Sequence, residues 1–493
     1  MTLTDTLRAE CDTFLTEVAG TPRAAEVRDV KARLDEPIRI AVAGRVKAGK
    51  STLLNALIGE RLAATDAGEC TRIPTWYRHG DNYRVVALRR DGEPKELQFT
   101  RDEGKLEIDL GFLAVEDIER IDVEWPVESL RDVVLIDTPG LASLDDRTSV
   151  RTRDLLGLDG DRASEADAVL YCLRHLHKSD AEYLGAFMDR SVAGASAANA
   201  VALVTRADEI GAARPDALES ATRIAARYAA DPRVRAMCSA VVPVAGLMAE
   251  TGRSLREDEV AVVRDLAGLD VDVLTDLLIS ADRFATTACP VPEDARRELL
   301  ERLGIFGVRV AVDIARTTAG SGHRLTAAEL GIALLKRSGL LSVDRAVTMY
   351  FEPQAEALKA RSALVGLREV AHRTREDDEA LGERQLARLE AIEAAATDLL
   401  ATRLRFLLAS GEVVLSEDEL AAATRLVQAR PVNIRLGLAP QAERQEQTQR
   451  VLATVEIWRA KSGGGLLDPV TAEVTDGLVR VAEDLHRQIT EAA

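Results

Sequence analysis

Long apolar runs are missing from this chain. No stretch of about 18 uninterrupted apolar residues, the length a helix needs to cross a bilayer, occurs in its 493 residues. No segment is therefore expected to span a membrane as a helix, and any membrane contact is expected to be peripheral. The opening residues, MTLTDTLRAECDTF, are acidic and amphipathic, unlike a signal peptide. Cysteine is scarce: Cys11, Cys70, Cys172, Cys238 and Cys289 lie far apart and form no C-x-x-C pair. They are expected to be reduced, partly buried thiols of a cytoplasmic protein. Positive charge is outweighed, with 64 Lys and Arg against 82 Asp and Glu, a net −18. That balance argues against nucleic acid as a partner. Aromatic residues make up only 3%, and the abundance of alanine and leucine leans the chain towards helix. No short-period repeat is present.

The length calls for more than one core. Residues 1–35 read as helix, with Leu3, Leu7, Phe14 and Val18 at helical spacing, then Val27, Val30 and Leu34 beyond a break at Gly-Thr-Pro. From 37 to about 250, short apolar strands alternate with helices: IRIAVAG, RVVALRR, RIDVEWP, DVVLIDT, DAVLYCL, AVALVTR and AVVPVAG. Alternation of this kind implies a largely parallel sheet with helices on both faces. After about 285 the strand signals stop. A long apolar pattern carries Leu386, Leu389, Ile392, Ala396, Leu400, Leu404 and Leu407, a capping box joins Ser416 to Glu419, and a last helix lines up Val474, Leu478, Val481, Leu485 and Ile489. Helices with one apolar stripe each make a bundle. Pro37 and the Cys-Pro-Val-Pro around Pro290 mark the expected limits of the α/β domain.

The first strand runs into Gly44-Arg45-Val46-Lys47-Ala48-Gly49-Lys50-Ser51, the spacing G-x-x-x-x-G-K-[ST], followed by Thr52 and a leucine-rich helix. Such a loop curls its backbone N–H groups around phosphates, and its glycines permit positive φ and close approach. The lysine reaches the β- and γ-phosphates, the hydroxyl serves Mg²⁺, and the helix start presents its positive end to the same anion. The loop is expected to hold a nucleotide.

Three further stretches supply the parts such a site needs. In VVLIDTPG, Asp137 ends an apolar strand, where it can orient a Mg²⁺-bound water, and Gly140 offers a bare N–H to the γ-phosphate. In ECTRIPTWY, Thr71, with Thr75 as the alternative, is placed to bring its hydroxyl to Mg²⁺ and γ-phosphate. In ALVTRAD, the strand ends in Thr205-Arg206-Ala207-Asp208. Guanine shows two adjacent donors that one carboxylate accepts, a pattern adenine does not match. Asp208 is placed for that reading, and Arg206 to lay its stem against the base. Ala245 and Gly246 end the next strand, where their backbone is placed to meet the guanine oxygen. GTP is the expected nucleotide, with GDP as product.

With these pieces in this order, the sequence resembles the dynamin family of large GTPases, in particular its bacterial dynamin-like members. Thr71-Arg-x-Pro74 matches the family's first switch motif, and the T-x-x-D form of Thr205–Asp208 fits as well. The segment LLKRSGLLSVDRAV resembles the family's passage from head to stalk. The resemblance implies an α/β P-loop GTPase head plus an α-helical bundle stalk. Residues 1–35 would be an N-terminal helical segment packing on the stalk, 36–285 the GTPase domain, and 286–493 the stalk. It also implies Mg²⁺-dependent hydrolysis, self-association through the heads, a related dynamin-like protein as partner, and a cytoplasmic protein peripheral on the inner face of the plasma membrane. Two positions depart from the pattern: Val46 stands where dynamins carry a catalytic glutamine, and Leu141 where Ras-type proteins do. The family completes its site by head-to-head dimerisation, and Lys47 is the candidate to stabilise transition-state charge in such a dimer. Lys47, Lys50 and Thr71 are the candidate catalytic residues, and Ser51, Thr71 and Asp137 (through water) the candidate metal site.

Weaker signals are read conservatively. His175 and His177 lack a third ligand and are expected on a solvated loop, with Ser179 and Glu182 forming a capping box. The turn from Arg405 to Asp418, RFLLASGEVVLSED, is apolar on both sides of Ser-Gly. It is expected to be a helix–helix connection, with a lipid-inserting tip as the alternative. Ala371–Gly382 is too acidic to favour anionic lipid. Two other functional classes remain in view: a regulatory GTPase switch without membrane activity of its own, and an RNA-linked GTPase, which the lack of a basic domain disfavours.

Overall fold

A computed structural model describes residues 2–63, 73–90, 92–102, 105–139, 164–174, 199–235, 237–428, 431–465 and 467–491. Cys70, Thr71, Gly140, Leu141, His175, His177, Ser179 and Glu182 lie outside the described residues. The described strands are β1 (Ile38–Gly44), β2 (Thr75–His79), β3 (Arg84–Arg89), β4 (Lys95–Glu96), β5 (Gln98–Asp102), β6 (Lys105–Asp109), β7 (Ile118–Trp125), β8 (Val133–Asp137), β9 (Ala168–Leu173), β10 (Ala200–Val204) and β11 (Ala240–Pro243). Among the described residues, the main sheet runs β11-β10-β9-β1-β8-β2-β7-β3-β4, and β5 and β6 form a separate hairpin. Neighbours from β11 to β8 are all parallel; β2 is antiparallel to β8 and parallel to β7, and β3 is antiparallel to β7 and β4.

The central position of β1 explains its unbroken apolar sequence. Ile38, Ile40 and Val42 face one core with Leu53, Leu54 and Leu170, while Ala41 and Ala43 face the other with Trp76, Tyr171 and Ala225. A strand covered on both sides cannot alternate with polar residues. All seven strands expected from the sequence are present. The loop expected at ECTRIPTWY is in part strand: Thr75–His79 is β2, with Trp76 and Tyr77 buried.

The boundary expected at residue 285 does not coincide with a break in packing. Leu299, Leu303, Phe306, Val312, Leu330 and Leu334 share one core with Met248, Val260, Leu277 and Phe284. Leu340, Val343 and Ala346, from the stretch read as the passage to the stalk, and Phe351 just beyond it join the sheet core with Ile40, Leu53 and Val201. Apolar stripes of head and stalk helices look alike in sequence, so periodicity alone did not reveal which partner each one buries against.

Beyond residue 355 the helices form two further cores. The N-terminal helices Leu3–Glu17 and Arg23–Asp35 bury Leu7, Phe14, Val27 and Leu34 against Leu364, Leu367, Val370 and Leu389. The helices from Thr397 to Glu491 bury Leu404, Leu408, Trp458, Val474, Leu478 and Leu485 together. The long apolar pattern from Leu386 to Leu407 is not one helix. It breaks at Ala396 (φ −79°, ψ 93°) into Glu379–Ala395 and Thr397–Ser410, so that Leu389 serves the first core and Leu404 the second. Ser416 and Glu419 form the expected capping box.

Asp167, before β9, ties these parts together. Its carboxylate is almost fully buried and accepts from Arg33 Nη2 at 3.0 Å, the Arg39 amide at 2.9 Å and Ser362 Oγ at 2.7 Å. One side chain thus joins the N-terminal helix, β1 of the head and the stalk helix Ala355–Asp377. Asp167→Ala leaves a largely covered arginine and an amide without their acceptor, which costs roughly 3 kcal/mol. A thermal melt of the variant is expected to shift well below that of the parent; an unchanged melt would contradict the tie.

Candidate nucleotide-binding site

The loop begins where β1 stops at Gly44. There φ is +145°, and a side-chain carbon would come within 2.4 Å of the Cys172 carbonyl oxygen on β9, so only glycine fits. Lys47 (φ 62°) and Gly49 (φ 86°) continue the left-handed path that curls the loop. Arg45, Val46 and Lys47 are exposed, and Ala48 and Lys50 are buried. The Lys50 ammonium folds back into the loop, donating to the Gly44 carbonyl at 3.2 Å and the Arg45 carbonyl at 3.3 Å. A buried ammonium held on backbone carbonyls is poised for an anion. Thr52 is half-buried on the helix that follows, against Gly246.

Ser51 and Asp137 meet, as the sequence positions require for one site: Ser51 Oγ donates to Asp137 Oδ2 at 3.1 Å. The other carboxylate oxygen, Oδ1, is buried without a hydrogen-bond partner among the described residues. Burial pushes the Asp137 carboxyl up to about 6, opposed by the nearby Lys50 charge and the Ser51 hydroxyl. Orphaned buried oxygens are rare. A hydroxyl and a bare carboxylate oxygen side by side are the hard donors that suit Mg²⁺. Thr75, the alternative to Thr71, is buried in β2 opposite Asp137, and its hydroxyl donates to the Ile73 carbonyl. It is not on the loop.

The stretch expected to read the base leaves β10 near the loop: a carbon added at Gly49 would lie 3.9 Å from Thr205 Cβ. The Thr205 amide donates to Leu173 O at 2.9 Å and its hydroxyl to the same oxygen at 3.2 Å. Arg206 is left-handed (φ 52°) and pairs with Glu209 at 2.7 Å, which puts its guanidinium to the outside. Asp208 is buried, and burial pushes its carboxyl up to about 6. Of the two residues expected to meet the guanine oxygen, Ala245 is fully buried and its N–H donates to Ser338 O at 2.8 Å. Gly246 opens the helix Gly246–Ser254, where the first amides have no intrahelical partner.

Sequence reasoning missed the polar clamp at the far end of the phosphate-loop helix. Buried Glu250 accepts from Arg61 Nε at 2.9 Å and Asn55 Nδ2 at 3.3 Å, and Asn55 Oδ1 accepts the Ala63 amide at 2.7 Å. It fixes the chain just before residues 64–72. Nothing in the spacing of Asn55, Arg61 and Glu250 signals this.

A model of the dynamin family matches residues 40–181. Isoniazid-induced protein IniC of Mycobacterium tuberculosis is 36% identical over 499 residues, 98% of either chain. The bacterial dynamin-like protein of Nostoc punctiforme is 34% identical over 123 residues, 23% of this chain and 18% of its own. This chain belongs to the dynamin family. It is a bacterial dynamin-like protein and a GTP-hydrolysing enzyme. A solved structure of an oligomerised bacterial dynamin pair aligns over 99% of this chain and 74% of its own, at 13% identity and a TM-score of 0.35. Among the described residues, no helix is long and apolar enough to cross a membrane.

The state of Asp208 gives this dynamin-like protein a pH signature. If Asp208 accepts the two guanine donors, as its position in the sequence suggests, it must be ionised, and GDP affinity is then expected to fall as the pH drops through about 6. In the empty protein the sign reverses. A carboxyl raised above its usual 3.8 contributes stability below that value and loses it as the pH rises through about 6, on the order of 3 kcal/mol in all. GDP titrations and melts between pH 5 and 7.5, on parent and Asp208→Asn, separate this from the proton on the phosphates, which both proteins share. Identical pH profiles would remove Asp208 from the site.

Proposed function

We propose that the head of this dynamin-family enzyme binds GTP with Mg²⁺ in the Gly44–Ser51 loop, and that hydrolysis is coupled to self-association and to peripheral membrane contact through the stalk. The observation that carries the reading is the cluster of Lys50, Ser51 and Asp137, a buried ammonium beside a hydroxyl and a half-satisfied carboxylate.

In this reading the Gly44–Thr52 backbone cradles the phosphates, and Lys50 exchanges its two carbonyl acceptors for β- and γ-phosphate oxygens. Ser51 holds the metal directly and Asp137 through water. Bound Mg²⁺ supplies neutralisation of the developing phosphate charge. Asp208 accepts the guanine N–H groups, Arg206 and Thr205 flank the base, and Gly246 meets its oxygen. Thr71 and Gly140 are proposed as γ-phosphate sensors.

No described side chain beside the loop orients an attacking water. Val46, half-exposed, occupies the position where dynamins carry glutamine. Lys47 stands exposed next to it, available to a second head. Self-association of heads is therefore proposed to complete the site. For the domains, we propose a head that runs from about residue 36 to about 354, as the shared cores suggest, with 1–35 and 355–493 as the stalk. The location proposed is the cytoplasm, peripheral on the inner membrane face.

A second reading, a regulatory GTPase or assembly partner without membrane activity of its own, is favoured by the turn after Ser410. Leu408 is buried in the C-terminal core, Val413 and Leu415 pack against it, and the Val414 amide donates to Thr471 Oγ1 at 2.9 Å. Only Val414 of these apolar side chains is mostly exposed. These contacts support a bundle connection over a free lipid tip.

Two measurements test these readings. Lys50→Ala removes the principal cation from the phosphates and is expected to abolish GTP turnover while the fold persists; turnover at the parent rate would refute the assigned site. Leu408→Asp with Val413→Asp is expected to lower the melting temperature before any lipid is added, at a cost of about 2–5 kcal/mol. An unchanged melt together with lost co-sedimentation on anionic liposomes would instead assign the turn to the membrane.

A further inference from the structure

The helix Glu293–Ala319 is broken at one residue. Gly304 has φ 64° and ψ 167°, far from helical and in a region open essentially to glycine alone. The break occurs against the base-reading carboxylate. A carbon added at Gly304 would lie 3.7 Å from Asp208 Oδ2 and 3.8 Å from Leu247 Cδ1, beside Gly246.

The two halves of the helix are anchored separately. Before the break, Arg302 donates to the Ser254 carbonyl and hydroxyl, each at 3.1 Å, pairs with Glu259 at 3.2 Å, and its carbonyl accepts Thr251 Oγ1. Leu303 is fully buried. After the break, Phe306 is buried and Arg309 reaches three carbonyls. It donates to Leu278 O, to Ile279 O at 2.9 Å, and to Ala213 O. Ala213 closes the run Gly211–Ala213, three successive left-handed residues that follow the base-reading stretch.

A continuous helix has one fixed rotation per residue, and the break at Gly304 changes that rotation between the two sets of anchors, where the backbone passes Asp208. We infer that the helix Glu293–Ala319 is the outer wall of the guanine pocket, with Gly304 and Arg309 as positioning residues that set the place of Asp208 and so the selectivity for the base. The inference rests on Asp208 as the guanine reader. A side chain at Gly304 would meet its neighbours at ordinary contact distances, so replacing it acts through the backbone. Alanine favours the helical φ, which would straighten the break and move the wall away from Asp208.

The test compares GTP with ITP, whose base lacks the exocyclic amine and so offers Asp208 one donor fewer. The parent is expected to prefer GTP by about tenfold or more, the value of one hydrogen bond to a charged group. In Gly304→Ala the GTP-to-ITP affinity ratio is expected to fall several-fold towards one. Arg309→Gln, which adds no backbone strain, is expected to lower the ratio in the same direction and keeps the test open if Gly304→Ala does not fold. Asp208→Asn is the reference: if it leaves the ratio unchanged, the base-reader assignment fails and the inference falls with it. If Asp208→Asn lowers the ratio but Gly304→Ala and Arg309→Gln weaken GTP and ITP equally, the helix has only a structural role and the inference alone is overturned.

Discussion

Everything at the nucleotide site turns on a carboxylate that the fold buries and leaves half-satisfied. Asp137 ends β8 with one oxygen on the Ser51 hydroxyl and the other without a partner among the described residues, in reach of the Lys50 charge. Burying a charge this way is costly unless something else completes it. The surrounding geometry keeps the arrangement from relaxing. Gly44 must pass within contact of the Cys172 carbonyl, which fixes where the loop turns, and β1 is held between β8 and β9 by parallel ladders. The same ladders that make the sheet therefore bring Ser51 to Asp137. An incoming cation and phosphate would relieve the unfavourable burial on both sides, which is a physical reason for the site to prefer its loaded state.

Much of this was legible in the sequence because it is local. The glycines and lysines of Gly44–Ser51 have fixed spacing, and a strand buried on two faces announces itself as an apolar run. The coming together of Ser51 and Asp137 followed from each ending, or following, a central strand. What stayed hidden depends on partners distant in the chain. β2 was hidden behind Arg78, His79 and the proline before it. The cores that residues 299–351 share with residues before 285 were hidden because amphipathic helices carry no mark of what they pack against. The Ala245 amide was spent on Ser338, and the Asn55–Arg61–Glu250 clamp formed from residues almost two hundred positions apart.

Gly304 lies between these extremes. A glycine within LERLGIFGV is a visible interruption of a helical pattern, yet only the fold shows that the interruption faces Asp208. The stalk meets the head through a similarly non-local contact, the buried Asp167 shared by Arg33, Arg39 and Ser362. The nucleotide end and the stalk end of the sheet are thus joined by the same central strands. A change of state at the loop has a short mechanical route, along β1, to the junction with the helices. That is the arrangement expected of an enzyme whose hydrolysis does work elsewhere in the molecule.

The central claim is that a second head completes the site, since among the described residues of one head no side chain beside the loop activates water. The most direct measurement is the GTP hydrolysis rate per head as a function of protein concentration, under saturating GTP and Mg²⁺ and without lipid. The account predicts a slow rate in dilute solution that rises with concentration and levels off as heads pair, with the rise weakened in Lys47→Ala. A rate per head that is constant across the range, and unaffected at Lys47, would contradict it.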